Sequence, residues 1–162
     1  MKIIVVIFCL ALPTIPVSAQ ESFNKKVQAG GALTFGVPVG VFSSVYSFIV
    51  AGTIKAKLPV SQKFVLTVSG GYYGFLRKGG GEGVGFVPIL GGFEYHFEPK
   101  IFIDVRGGAG VPTVKNNGTA LCFITGIGYD ISKRMQVAGN FTGFGKYGYV
   151  IGNIGIEFGY YF

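Results

Sequence analysis

The residues with the clearest potential for acid–base chemistry are two acids and the only histidine of the chain: Glu94, His96 and Asp104. A histidine beside carboxylates can serve as a general base toward a serine nucleophile. No serine is expected beside this trio, because Ser69 lies far along another run and Ser61 lies in a turn-like break. One histidine and few cysteines are also too few soft ligands for zinc. We therefore expect no catalytic site, metal or cofactor.

The segments that carry these residues alternate between apolar and polar positions. In "SFIVAGTIKAKLP" (47–59), Lys55 and Lys57 alternate with Ile54, Ala56 and Leu58. The same alternation occurs in "VGFVPILGGFEYHF", "IFIDVRGGAGV" and "VIGNIGIEFGYYF". A period of two is typical of a β-strand with two different faces, whereas a helix has a period of 3.6.

Eight such runs are separated by turn-like breaks. Each is close to the roughly 9–11 residues that a tilted strand needs to cross a bilayer. The pattern predicts an all-β fold, an eight-stranded antiparallel up-and-down transmembrane β-barrel. Short turns are expected at 59–63, 98–100 and 132–134, and longer loops at 37–46, 77–83, 112–118 and 145–149. The predicted strands are 27–36, 47–58, 64–76, 84–97, 101–111, 119–131, 135–144 and 150–162.

The positions of the charges distinguish a membrane barrel from a soluble one. Within these strands one face is free of charge, and the ionisable residues share the opposite face. A soluble lipocalin-like carrier needs the reverse arrangement, with charge outside. Because a basic residue facing lipid at the bilayer centre costs roughly 2–4 kcal/mol, the pattern places the charges in the lumen. The predicted lumen cluster consists of Lys55, Lys57, Glu94, His96, Asp104, Arg106, Asp130 and Glu157.

Composition agrees with a membrane protein. Only 13% of residues are charged and the mean hydropathy is +0.53, whereas about a quarter of residues are charged in ordinary soluble domains. Spanning helices are disfavoured, because the uncharged segment 27–54 contains five glycines and a proline at positions 30 to 40 and 52. In a helix interior these residues cost about 1 and 3 kcal/mol each relative to alanine.

The N-terminus predicts export. "MKIIVVIFCLALPTIPVSAQ" begins with Lys2, continues with an apolar run and ends in small residues, so cleavage is expected between Ala19 and Gln20. Residues 1–19 would then be a signal peptide and 20–162 the barrel domain. Cys122 is the only cysteine after residue 19, so no internal disulfide is expected. Nucleic acid is a poor partner for an exported chain.

The leader, "GGALTFGVPVG", "VPILGGFEYHF", "FIDVRGGAGV" and the closing "IGIEFGYYF" together resemble the outer-membrane β-barrel domain proteins of Gram-negative bacteria, a porin-like family that includes OmpA and OmpX. This resemblance implies a location in the outer membrane and contact with its lipids. It also implies that the C-terminal aromatic pattern, Tyr160 and Phe162, is read by the barrel-assembly machinery. One such barrel architecture hosts pores, adhesins, enzymes and structural proteins.

Four functions are left open at this point. The leading hypothesis is a monomeric, non-enzymatic barrel with a plugged lumen and a structural, envelope or surface-interaction role. A narrow channel for small solutes, a lipid-modifying enzyme and a soluble carrier are the alternatives. Tyr73 and Phe144 are expected to fill the lumen above the charges. The loop cations Arg77, Lys78, Lys115 and Lys146 are candidates for contact with lipopolysaccharide phosphates.

Deletion of Phe162 is expected to lower the amount of barrel assembled in the outer membrane, because the terminal aromatic would be the assembly signal. The measurement is the level of the heat-modifiable species in outer-membrane fractions, compared with the full-length chain. An unchanged level would show that the terminal phenylalanine is incidental.

Overall fold

A computed structural model describes residues 26–114, 118–146 and 149–162. The predicted signal peptide, its Ala19–Gln20 cleavage point and the loop residue Lys115 lie outside the described residues. Lys146 lies in a strand, but its side chain also lies outside that description.

The described chain forms eight strands that close into a barrel, with neighbours along the chain paired in order. Every pair is antiparallel, including the closing pair between the first and last strands. This confirms the predicted fold class. The strands are β1 (Gln28–Val39), β2 (Tyr46–Pro59), β3 (Phe64–Arg77), β4 (Val84–His96), β5 (Ile101–Pro112), β6 (Ala120–Asp130), β7 (Met135–Lys146) and β8 (Tyr149–Tyr161).

Strand β1 extends further than the sequence indicated. It was expected to end at Gly36, with residues 37–46 forming the first outer loop. Pairing with β2 does end at Gly36, but pairing with β8 continues to Val39. Beyond Gly36 the strand is therefore an edge on one side, which is where proline is tolerated. The first predicted loop is correspondingly shorter and contains a 3-10 helix at Gly40–Ser44.

The two ends of the barrel differ in their connections. We call the end with connections 60–63, 97–100 and 131–134 the turn end, and the other end the loop end. Two turns at the turn end are closed by serine hydroxyls: Ser61 Oγ accepts hydrogen bonds from the backbone N–H of Lys63 and Phe64, and Ser132 Oγ accepts from residues 134 and 135. Such local bonds specify tight turns. At the loop end, Gly79 and Gly80 adopt positive φ angles of 77° and 79°, which glycine reaches without strain.

The barrel wall has its polarity inverted relative to a soluble protein. Ile54 and Ile89 are 75% and 69% exposed on the outer face, whereas Lys55 and Arg106 are each 1% exposed in the lumen. Because strand side chains alternate between faces, one register sets the orientation of the residues in a strand, apart from a register shift between Tyr46 and Phe48 in β2. The described residues include no helix long and apolar enough to cross a membrane.

Strand β8 both ends the sequence and closes the sheet. It pairs with β1 from Gly30–Tyr161 to Val39–Gly152. Beyond the strand, the backbone N–H of Phe162 donates to Ala29 O at 2.9 Å, while its side chain is 84% exposed. The terminal ring lies 5.3 Å from the Tyr160 ring on the outer face. The role of Tyr160 and Phe162 as an assembly signal stays a prediction.

Replacing Ile54 by Arg is expected to lower the free energy of unfolding in lipid vesicles by about 2–4 kcal/mol, because the outer face would contact hydrocarbon there. Leu58→Arg, on the same face but near the turn end, is the matched control and should cost only about 0–1 kcal/mol. Denaturant titration measures both. Equal costs at the two positions would contradict a membrane-spanning wall.

Candidate functional site

A layer of six buried charges crosses the lumen toward the turn end. Its side chains come from β2, β4, β5 and β8, and each residue is at most 4% exposed. Three are basic and three acidic, so the formal charge of the layer is zero. We call it the ionic layer: Lys55, Lys57, Glu94, Asp104, Arg106 and Glu157.

One half of the ionic layer is organised by Arg106. Its Nη2 lies 2.6 Å from Asp104 Oδ2 on the same strand and 2.9 Å from Glu157 Oε2, which reaches it from β8. Gly92 on the neighbouring strand allows β5 to approach closely here, since an added Cβ would lie 2.0 Å from the backbone O of Val105 and 2.9 Å from Arg106 Cγ. A guanidinium that binds two carboxylates offsets the cost of removing its charge from water.

The other half is organised by Glu94. Its Oε1 lies 2.7 Å from Lys55 Nζ and its Oε2 lies 2.9 Å from Lys57 Nζ. Lys55 also lies 3.5 Å from Asp104 Oδ2 and 3.7 Å from Glu157 Oε1. Lys55 therefore joins the two halves of the ionic layer.

The sheet register explains why this link is needed. Glu94 and Asp104 are direct partners across β4 and β5, and like charges in that position repel each other. The Lys55 ammonium contacts both carboxylates, and its positive charge offsets their repulsion. An isolated buried ion costs several kcal/mol even after relaxation, so the layer is stable only with all its partners present.

A second polar group forms the rim of the turn end. His96 Nε2 lies 3.1 Å from Asp130 Oδ2, and Gln136 Nε2 donates to Asp130 Oδ1 at 2.6 Å. Lys57 Nζ donates in turn to Gln136 Oε1, which connects the rim with the ionic layer. All eight residues of the predicted lumen cluster thus point into the lumen, six in the ionic layer and two at this rim.

The three residues considered for acid–base chemistry, Glu94, His96 and Asp104, do not contact one another as a catalytic group. His96 pairs with Asp130, whereas Glu94 and Asp104 pair with basic side chains. The second ring nitrogen, His96 Nδ1, has no hydrogen-bond partner among the described residues. No serine hydroxyl is therefore held by this histidine in the described part of the chain, and the arrangement lacks an activated nucleophile.

The lumen toward the loop end is filled by aromatic rings from β3, β4 and β7. We call Tyr73, Phe75, Phe86 and Phe144 the aromatic layer; each is at most 5% exposed. Phe144 stacks on Phe86 with ring centroids 4.5 Å apart and contacts the Phe75 and Tyr73 rings at 5.9 and 5.6 Å. Cys122 is fully buried beside these rings.

Sequence reasoning missed several lumen residues. Phe75 and Phe86 have the inward parity of their strands and lie near the loop end, so alternation alone would have identified them. Gln136 is likewise the polar inward residue at the start of β7. Tyr161, whose ring centroid lies 4.0 Å from Lys57 Nζ, has the parity of Glu157. These uncharged residues were missed because only ionisable side chains were used to assign the lumen cluster.

Side-chain contacts cross the lumen at both layers. Pairs of charges and stacked rings connect opposite walls at two levels, and the described residues contain no cluster of three or more potential metal ligands. An interior of this size in an eight-stranded barrel is just wide enough for side chains to fill. The arrangement can stabilise and rigidify the wall by cross-lumen contacts.

Glu94→Gln is expected to destabilise the barrel by about 3–5 kcal/mol, because it leaves two buried lysines short of a partner and the layer with one excess positive charge. The double variant Lys57→Met/Glu94→Gln restores a formal charge of zero and should be less destabilised than the single variant. Denaturant unfolding in vesicles measures both free energies. The single variant Lys57→Met is measured as well. If the destabilisation of the double variant equals the sum of the destabilisations of Lys57→Met and Glu94→Gln, the two charges act independently.

Comparisons of structures identify proteins with this architecture. The outer membrane protein Ail of Yersinia pestis in a phospholipid bilayer nanodisc superimposes with a TM-score of 0.56 at 10% identity, covering 83% of this chain and 99% of that one. The N-terminal β-barrel domain of Pseudomonas aeruginosa OprF gives 0.57 at 12%, covering 83% and 97%. A de novo designed transmembrane β-barrel gives 0.55 at 16%, covering 83% and 95%.

Sequence comparisons add no relative: no family model matches the chain, and no curated protein matches it either. Identities of 10–16% concern the fold alone. The chain has the fold of the small eight-stranded outer-membrane β-barrels.

Proposed function

We propose that this chain is a monomeric integral outer-membrane protein that supports the envelope as a closed, non-enzymatic barrel. The carrying observation is the inverted wall, with apolar side chains exposed outside and six paired charges buried inside. In water this arrangement would expose a large apolar surface, whereas in a bilayer it satisfies both faces. The N-terminal end of the barrel domain would lie in the periplasm. The turn end would then face the periplasm and the loop end would face outward.

Outer-membrane lipids are the first partners of this proposal. Tyrosines on the outer face near the turn end, Tyr95, Tyr129 and Tyr160, are 40–43% exposed. Amphipathic rings favour the interface between hydrocarbon and headgroups. The Lys100 ammonium lies 5.9 Å from the Tyr129 ring, where it would face headgroup phosphates. During biogenesis the barrel-assembly machinery would be a transient partner.

Lipopolysaccharide is the proposed partner at the loop end. Arg77 and Lys78 are adjacent and exposed where β3 leaves the wall. The same loop carries one acidic residue, the exposed Glu82. Arginine and lysine form strong charge-assisted bonds with phosphate.

A narrow channel is the second candidate. A polar cavity of about 260 Å³ opens at the turn end and is lined by Lys57, Glu94, His96, Asp130 and Gln136, among others. It reaches the ionic layer, which is the feature that favours a solute path. The aromatic layer lies beyond it toward the loop end, and this supports the closed barrel over the channel.

Loss of the gene is expected to raise sensitivity to bile salts and to large antibiotics that an intact outer membrane excludes. The wild-type chain and His96→Ala should restore resistance equally, because an envelope role uses no acid–base group. Minimal inhibitory concentrations measure the effect at matched barrel levels. A folded His96→Ala barrel that fails to restore resistance would favour an enzyme.

The same strains test the loop cations. Arg77→Ser/Lys78→Ser should restore resistance only in part if these residues bind lipopolysaccharide. Lys133→Ser/Arg134→Ser, a basic pair at the turn end, is the matched control and should restore it fully. Full restoration by both pairs would remove lipopolysaccharide from the proposed partners.

A further inference from the structure

The lumen is closed by two layers of opposite chemistry. The ionic layer lies toward the turn end and presents charged groups to a polar cavity of about 260 Å³. The aromatic layer lies toward the loop end and presents carbon surfaces in mutual contact. The two layers therefore oppose the passage of an ion in different ways.

The ionic layer is connected to the solution at the turn end. Lys57 and Glu94 line the cavity together with the half-buried rim pair His96 and Asp130. Charged side chains beside a hydrated cavity can exchange one ionic partner for another, as the charged rings of selectivity filters do. This layer can thus select among ions without excluding them.

The aromatic layer is apolar instead, apart from the buried Tyr73 hydroxyl. Phe75, Phe86 and Phe144 carry no polar side-chain atom, and the layer continues into buried Ile49, Leu90 and Ile124. A hydrophobic constriction stops ions by dewetting, since an ion would have to lose its hydration without gaining a ligand. At this level of the described barrel, both the inner and the outer face of the wall are apolar.

Phe144 is the contact that spans the lumen. It projects from β7, which is separated from β3 by three strands in either direction around the barrel. Its ring nevertheless contacts Tyr73 and Phe75 from β3 and Phe86 from β4. An added Cβ at Gly110 would lie 3.1 Å from the Phe144 ring, so the wall beside the ring is shaped to accept it.

We propose that the lumen is a latent pathway for small inorganic ions and that the aromatic layer, not the ionic layer, is the barrier that keeps it shut. This inference rests on the proposed closed barrel and assigns the closure to specific residues. Removing the three phenylalanine rings widens the apolar layer, of which Tyr73, Ile49, Leu90 and Ile124 remain at the wall, and leaves charged side chains that can bind a passing ion. Neutralising the charges leaves the apolar barrier in place.

The test is single-channel recording in planar lipid bilayers bathed in potassium chloride solution. The protein is purified from outer membranes. The aromatic variant is Phe75→Ala/Phe86→Ala/Phe144→Ala, and the ionic variant is Lys57→Met/Glu94→Gln. Phe35→Ala/Phe123→Ala/Phe141→Ala removes three rings from the outer face and is the matched control. A boiling-dependent gel shift first establishes that each variant is folded.

Resolved openings are expected for the aromatic variant, with the wild type, ionic variant and control indistinguishable from bare bilayers. A conducting wild type would overturn the closed barrel itself. A silent wild type with a folded but silent aromatic variant would overturn only the assignment of the barrier. Openings in the ionic variant alone would move the barrier to the charges and likewise overturn the inference.

A second measurement avoids the triple variant if it does not fold. Cys122 is fully buried in the cluster that contains Phe144 and reports whether water reaches the layer. The rate at which a charged methanethiosulfonate reagent modifies Cys122 should be low in the wild type and at least several-fold higher in Phe144→Ala. Peptide mapping by mass spectrometry identifies the labelled residue. Equal rates in two folded proteins would contradict an aromatic seal.

Discussion

The barrel depends on one constraint: a side chain that faces the bilayer must be uncharged, so every charge carried by the membrane-spanning wall must find a partner inside. Six charges meet this requirement by pairing across the lumen in a layer of formal charge zero. The outer face can then be uniformly apolar. The pairing in turn holds four strands, β2, β4, β5 and β8, at fixed distances from one another. Wall polarity and lumen organisation are thus two consequences of the same requirement.

This constraint also explains why so much of the fold was predictable from the sequence. Because strand side chains alternate, the two lysines at 55 and 57 orient β2 from Phe48 onward, and Asp104 with Arg106 orients β5. Strand number and lumen-facing residues follow from that parity together with the breaks. The end of β1 was wrong, because alternation within one strand does not show that β1 keeps its β8 partner after losing β2.

Which side chains pair with each other inside the lumen could not be predicted from the sequence. Parity places Arg106 and Glu157 inside, but their contact at 2.9 Å depends on how far each strand is staggered along its neighbour. The same stagger brings Gln136 of β7 to Lys57 of β2, although 79 positions separate them. It also places His96 beside Asp130 instead of the acids nearer in sequence. The acid–base trio weighed from the sequence, Glu94, His96 and Asp104, is therefore divided between the rim and the ionic layer.

The central claim is that the inverted wall belongs in an outer membrane. Heat-modifiability tests it most directly: outer-membrane fractions are run on a denaturing gel with and without boiling. A band that shifts only after boiling is the predicted result, because a closed barrel resists detergent until heated. A protein recovered from the soluble periplasm, with no shift, would contradict the account and favour the soluble carrier.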